Sequence, residues 1–131
     1  MQIGLKHAKT LTVTERDCAA QVGSGMLPVL ATPVMAALME RTAAESVLPF
    51  LEPGMTTVGT RLELDHLAAD PVGVTVTCES VLTEIDRRRL TFEITVRDGE
   101  ETVGRCRHDR FLVESEKFMK KAKEKAERLK A

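Results

Sequence analysis

The 131-residue sequence contains no tryptophan and no tyrosine, and only four phenylalanines. Its core must therefore be assembled from Val, Leu, Ile, Met and Ala. Neither sign of charge is in excess: the formal net charge is −1. That removes the basic footprint of a nucleic-acid or anionic-membrane binder. No apolar run approaches the roughly 20 residues of a membrane span. The opening "MQIGLKHAKT" has no apolar stretch of the kind a secretory signal needs. Cysteine is scarce too. Cys18, Cys78 and Cys106 are odd in number, far apart and without CxxC spacing, which argues against a disulfide framework and for a reducing, cytoplasmic setting. No repeat, low-complexity tract or linker divides the chain. At this length about two-thirds of the unfolded surface can be buried, so a single domain spanning 1–131 is expected.

What is present is a change of period along the chain. A short alternation, "TLTVT", predicts a strand around residues 10–14. "QVGSGMLPV" reads as a loop, with Gly23, Ser24, Gly25 and Pro28 as turn residues. Thr32-Pro33 then has the composition of a helix start, with Thr as N-cap and Pro at the first helical position. A helix is predicted from there to about residue 50, stopped by Pro53-Gly54. After it the period falls to two. "TVGTRLELDH" sets Val58, Thr60, Leu62, Leu64 and His66 on one face and Arg61, Glu63 and Asp65 on the other. "VTVTCESVL" and "RRLTFEITVR" alternate likewise, Asp98-Gly99 marks a hairpin, and a last strand is expected over 101–113. From there Phe118, Met119, Ala122, Ala126 and Leu129 recur at helical spacing in a lysine-rich segment, read as a C-terminal helical extension over 113–131 that packs on the body. One early apolar helix followed by a run of antiparallel strands is an α+β pattern, best satisfied by a sheet curled around that helix.

Glu40 is the anomaly. At about 100° per residue, the wedge around it holds Pro33, Ala36, Ala37, Ala43, Ala44, Val47, Leu48, Phe50 and Leu51, none of them polar. This expectation puts Glu40 at the centre of the apolar face. An unpaired carboxylate there costs on the order of several kcal/mol. It is either a structural Glu paired with a buried Arg or a general acid or base in a site. His66 favours the site, since it shares the strand face of Leu62 and Leu64. Thr32 lies near the same side of the helix start, where N-capping is its plain role. A hydroxyl, a carboxylate and an imidazole in one cleft suit attack on an activated carbonyl, with backbone N–H groups holding the oxyanion.

Three segments carry a family pattern: "GSGMLPVLATPVMAALME", "TVGTRLELDHLAADPVGVTV" and "GRCRHDRFLV". Over roughly residues 10–120 the chain resembles the hot-dog-fold thioesterases of the fluoroacetyl-CoA thioesterase-like family. The resemblance implies a long central helix wrapped by a curved antiparallel sheet, with an extra C-terminal helix. It also implies a homodimer or higher oligomer, and hydrolysis of an acyl-CoA substrate. The family's active-site Thr, Glu and His fall on Thr32, Glu40 and His66. Its Gly before the His strand falls on Gly59, where backbone contacts the thioester carbonyl. Glu40 would activate water or attack the thioester directly, His66 would carry a proton or polarise the carbonyl, and Thr32 would orient them. Met26 and Pro33 are the further expected substrate contacts. Members linked to fluoroacetyl-CoA gate the acyl pocket with aromatic residues; the loop "VGSGMLPVL" has Met26 and none, which points to a small to medium apolar acyl chain.

Other features read as structure. Cys106 and His108 share a strand face but are too few for zinc, and no metal is expected. His108 and Arg110 lie in a motif the family also shows, with a structural reading. "DRRRL" at 86–90 reads as a solvated hairpin in preference to a contact for CoA phosphates. No cofactor beyond the CoA of the substrate, no nucleic acid and no membrane is expected. The alternative to a thioesterase is a non-hydrolytic acyl-CoA binding or sensing module with the same pocket. Enoyl-thioester hydration would need a catalytic pair in another arrangement.

Overall fold

In the computed structural model, which describes residues 1–130, five strands form one antiparallel sheet. They are β1 (Lys6–Thr12), β2 (Met55–His66), β3 (Thr75–Asp86), β4 (Arg89–Arg97) and β5 (Thr102–Glu114), in spatial order β1-β3-β4-β5-β2. A one-turn helix α1 (Ala19–Val22) precedes the long α2 (Thr32–Val47), and α3 (Ser115–Lys130) follows β5 directly. Ala131, the end of the expected extension, lies outside the described residues. Helix α2 packs against all five strands, which curl around it in the hot-dog arrangement.

The helix meets the sheet through a different face from the one expected. Met35, Leu38, Met39, Thr42, Ala43, Ser46 and Val47 are buried, and their mean direction lies about 115° around the helix from Glu40. Thr42 and Ser46 are tolerated there because each hydroxyl donates to its own helix, to the Leu38 carbonyl at 2.7 Å and the Ala43 carbonyl at 2.6 Å. Two polar residues on the core face therefore displaced the apparent apolar centre onto the alanines. Pro33 and Ala37 are exposed, and Ala36, Glu40 and Ala44 are half-buried. Close approach to the sheet is arranged instead by Gly104 on β5, where a Cβ would sit 2.3 Å from the Met35 sulfur. Against this face stand Val76, Leu82, Leu90, Phe92, Ile94, Val96 and Val103, all buried.

Strand β1 begins earlier than expected and ends at Thr12. The strict alternation assigned to β2 fails at one point. Gly59 pairs with Arg110 and Arg61 with Asp109, leaving Thr60 as the extra residue of a bulge. C-terminal to the bulge, Leu62, Leu64 and His66 face the helix side as expected. N-terminal to it the inward residues are Gly59 and Thr57 rather than Thr60 and Val58. The Asp98-Gly99 hairpin is present, with Asp98 accepting from the Glu100 and Glu101 backbone N–H groups at 2.9 Å each. The other hairpin turns on Arg87-Arg88 between β3 and β4, with Arg89 bonded to Glu84 at 2.9 Å.

Helix α3 contributes no buried residue. Phe118, Met119 and Leu129, expected to pack on the body, are exposed. A hollow of about 620 Å³ along this helix, lined by Met119, Lys120 and Lys123, is remote from the residues considered next.

Candidate active site

Thr32 opens α2 but does not cap it; the N-cap position is Ala31, and Pro33 follows within the first turn. The Thr32 hydroxyl is engaged instead with His66 at the end of β2, Oγ1 to Nδ1 at 2.7 Å. This contact fixes the ring. It leaves Nε2 of His66, buried in the single chain, without a hydrogen-bond partner among the described residues.

Glu40 sits two turns further along α2. Its carboxylate overlies Gly59, so closely that a Cβ on Gly59 would lie 2.6 Å from Oε2. The bulge at Thr60 turns Gly59 toward the helix, and only a residue without a side chain admits the carboxylate there. Arg110, paired with Gly59 across the ladder, brings Nη1 to 3.7 Å from Glu40 Oε2. The Glu40 side chain is 44% exposed and that of Arg110 9% exposed. The expectation of a Glu40 at the centre of the apolar face is thus corrected: the carboxylate has below it the buried Arg partner of the structural alternative, and it is open above.

Arg110 is held firmly. Its Nε donates to Thr57 Oγ1 at 2.8 Å, Nη2 to the Thr57 carbonyl at 3.0 Å, and Nη1 to His108 Nε2 at 3.2 Å. His108 is buried, with Nδ1 2.7 Å from the Arg61 carbonyl. A carbonyl only accepts and a guanidinium only donates, so these partners require a neutral imidazole with its proton on Nδ1. Burial, with the Arg110 charge acting in the same sense, holds the His108 pKa below the ordinary imidazole range, against the Arg61 carbonyl bond and the charges of Glu40 and Asp109. Burial likewise lowers Arg110, and Glu40 opposes that. The pair read from sequence as structural therefore reaches a candidate site residue. The signal was an Arg two residues from a His on an inward-facing strand, with no partner identifiable until the helix was docked.

The expected residues thus form two groups. Thr32 and His66 make one; Glu40 and Gly59 make the other, with Arg110 and His108. From Thr32 to Glu40 the helix rises about 12 Å, and from His66 to Gly59 the strand runs about 20 Å. A single chain does not bring them into one cleft. Met26 is 92% exposed in the loop before α2, and Pro33 is also open. Cys106 is buried and its thiol is pushed up to about 12, burial being the main cause. Among the described residues no three His, Cys, Asp or Glu side chains converge as a metal site would require, and no helix is long and apolar enough to cross a membrane.

Comparison with known proteins agrees with this architecture. A profile of the family described as fluoroacetyl-CoA-specific thioesterase matches residues 13–116. The fluoroacetyl-CoA thioesterase of Streptantibioticus cattleyicolor is 37% identical over 97 residues, which are 74% of this chain and 70% of that protein. A solved structure of fluoroacetyl-CoA thioesterase superimposes with a TM-score of 0.89 at 30% identity, covering 95% of this chain and 97% of the other. A thioesterase superfamily member from Thermus thermophilus aligns with a TM-score of 0.91 at 23% identity, over 98% of this chain and 96% of its own. That last likeness bears on the fold alone.

Proposed function

The chain belongs to the fluoroacetyl-CoA-specific thioesterase family and is a thioester hydrolase, and we propose that it cleaves a small to medium acyl-CoA through Thr32, Glu40 and His66. The observation that carries this reading is the Glu40 carboxylate laid over Gly59, beside the Arg110 guanidinium at 3.7 Å and open on its other side. Such a carboxylate either draws a proton from water or adds to the thioester carbonyl itself. In both routes the C–S bond breaks and the CoA thiolate leaves; in the second, water then hydrolyses the acyl–Glu40 anhydride, releasing the acid and restoring the carboxylate. His66, held through Nδ1 by Thr32 and without a partner at Nε2 in the single chain, would pass a proton to the leaving sulfur and recover one from water or the protonated Glu40. The backbone at Gly59 is the candidate contact for the carbonyl oxygen. CoA enters as part of the substrate, and the acid–base groups named supply the chemistry without a further cofactor.

The separated groups are reconciled by a homodimer. Strand β2 is an edge of the sheet, with one side of its backbone unpaired within the chain. Two copies of β2 pairing antiparallel about a two-fold axis at Glu63 would place His66 opposite the partner's Gly59, once the extra residue Thr60 is counted. The same register sets Leu64 against the partner's Leu62 and Asp65 against the partner's Arg61, an opposite-charge pair. Thr32 and His66 of one protomer would then share a cleft with the partner's Glu40. Pro33 and Met26, open in the single chain, would border that cleft. Met26 and Leu27 are both strongly exposed and offer an apolar, non-aromatic wall, which supports an acyl group other than fluoroacetyl. The three free, buried cysteines support a reducing, cytoplasmic setting.

Thiol release from a panel of acyl-CoA esters, acetyl to long-chain and aromatic, tests the activity. Glu40→Ala should lower turnover by about 10²–10⁴-fold while the circular dichroism spectrum is retained, since the side chain is half-exposed. Saturable acyl-CoA binding with no thiol release from the wild type would instead establish the binding module.

A further inference from the structure

We infer that His108 is a positioning residue, which aims the Arg110 guanidinium at the Glu40 carboxylate. The inference deepens the thioesterase reading and rests on it for its kinetic consequence. Arg110 carries five N–H groups. Two are fixed by Thr57, through its hydroxyl at 2.8 Å and its carbonyl at 3.0 Å. The guanidinium is a rigid plane, so those bonds along its Nε–Nη2 edge leave it only a pivot about that edge. Nη1 faces His108 Nε2 at 3.2 Å and Glu40 Oε2 at 3.7 Å. The bond to the imidazole stops that pivot, and so sets how the guanidinium plane meets the carboxylate.

The imidazole has no freedom to do otherwise. Nδ1 is bonded to the Arg61 carbonyl at 2.7 Å, next to the Thr60 bulge, and the ring is buried beside Phe92, with centroids 6.3 Å apart. The ring thus ties three things together: the bulge that turns Gly59 inward, the guanidinium, and the carboxylate above it. Its Cε1 would lie 3.3 Å from a Cβ on Gly59, so it also forms part of the floor on which Glu40 rests. A residue serving only to fill the core would need neither the lone pair on Nε2 nor the proton on Nδ1.

Two substitutions separate positioning from packing. His108→Asn keeps a donor near the Nδ1 position for the Arg61 carbonyl, but its shorter side chain places no acceptor where Nε2 met Arg110. His108→Gln can present its amide oxygen where Nε2 stood. In the full-length protein, His108→Asn should lower kcat by about tenfold or more with KM changed by less than about twofold, and His108→Gln should recover most of the loss. The carbon-13 signal of the Glu40 carboxyl, read by NMR without substrate, should move in His108→Asn and return toward the wild-type position in His108→Gln. An unmoved Glu40 signal in His108→Asn, or a Gln variant as impaired as the Asn variant, overturns the inference. If wild-type protein releases thiol from no ester, the thioesterase reading fails alone, and the Glu40 signal still decides the role of His108.

Discussion

The contacts around Glu40 depend on a missing methyl group. Gly59 does not occupy the left-handed backbone region, so an alanine there is conformationally acceptable. Its Cβ, however, would lie 2.6 Å from Glu40 Oε2, 3.2 Å from Arg110 Nη1 and 3.3 Å from His108 Cε1. The carboxylate is the half-exposed partner and yields most readily. Gly59→Ala should therefore reduce kcat by about 10–100-fold, a loss of roughly 1.4–2.8 kcal/mol in transition-state stabilisation, with a much smaller change in melting temperature. A second residue, Asp70, makes stability depend on pH. Its side chain is buried and one carboxyl oxygen has no hydrogen-bond partner among the described residues. Burial, with the nearby Asp98 and Glu101, raises its pKa from 3.8 to about 6. The folded state thus favours the protonated acid. That contribution is complete below the unfolded pKa near 4 and is lost as pH rises through about 6. Asp70→Asn should match the wild type near pH 4 and exceed it at pH 8, by about 3 kcal/mol, in denaturant titrations at the two pH values.

At the scale of elements, α2 meets β5 with no room for a side chain at Gly104. A Cβ on Gly104 would stand 2.3 Å from Met35 Sδ and 3.3 Å from Met39 Cε. Gly104→Ala should destabilise by about 1–3 kcal/mol through overpacking, and Met35→Ala should cost less in the Gly104→Ala background than in the wild type, read as a double-mutant cycle in denaturant titrations. This junction also marks how far the elements could be read from sequence. The strands after α2 were legible because alternation of apolar and polar residues is a direct image of a half-buried sheet. The α2 face was not, because Thr42 and Ser46 satisfy their hydroxyls within the helix and so enter the core as though apolar. Thr60 was misplaced for a related reason. A bulge leaves no trace in composition, and a strict period of two carries the wrong residues inward on its far side. Thr32, Glu40, His66 and Gly59 could be named from family resemblance, and the first three also from their chemistry. The support beneath Glu40 could not, since Arg110 and His108 meet it only when a helix and two strands are docked.

At the scale of the whole molecule, the separation of Thr32 and His66 from Glu40 becomes a statement about assembly. Helical rise and strand length put about 12 Å and about 20 Å between the two groups within one chain, while an antiparallel β2–β2 seam would bring His66 of one protomer beside the partner's Gly59. This makes a prediction that no single-chain site can satisfy. Glu40→Ala and His66→Ala should each be inactive alone. Mixed in equal amounts under conditions that exchange subunits, half of the dimers become hybrids. Each hybrid pairs an intact Thr32–His66 end from one chain with an intact Glu40 from the other at one cleft, and carries both lesions at its second cleft. Activity should therefore return to about a quarter of the wild-type value, with light scattering reporting dimers throughout. Were the three residues to act within one chain, every cleft in the mixture would still hold a lesion, and thiol release would stay at the level of the separate variants.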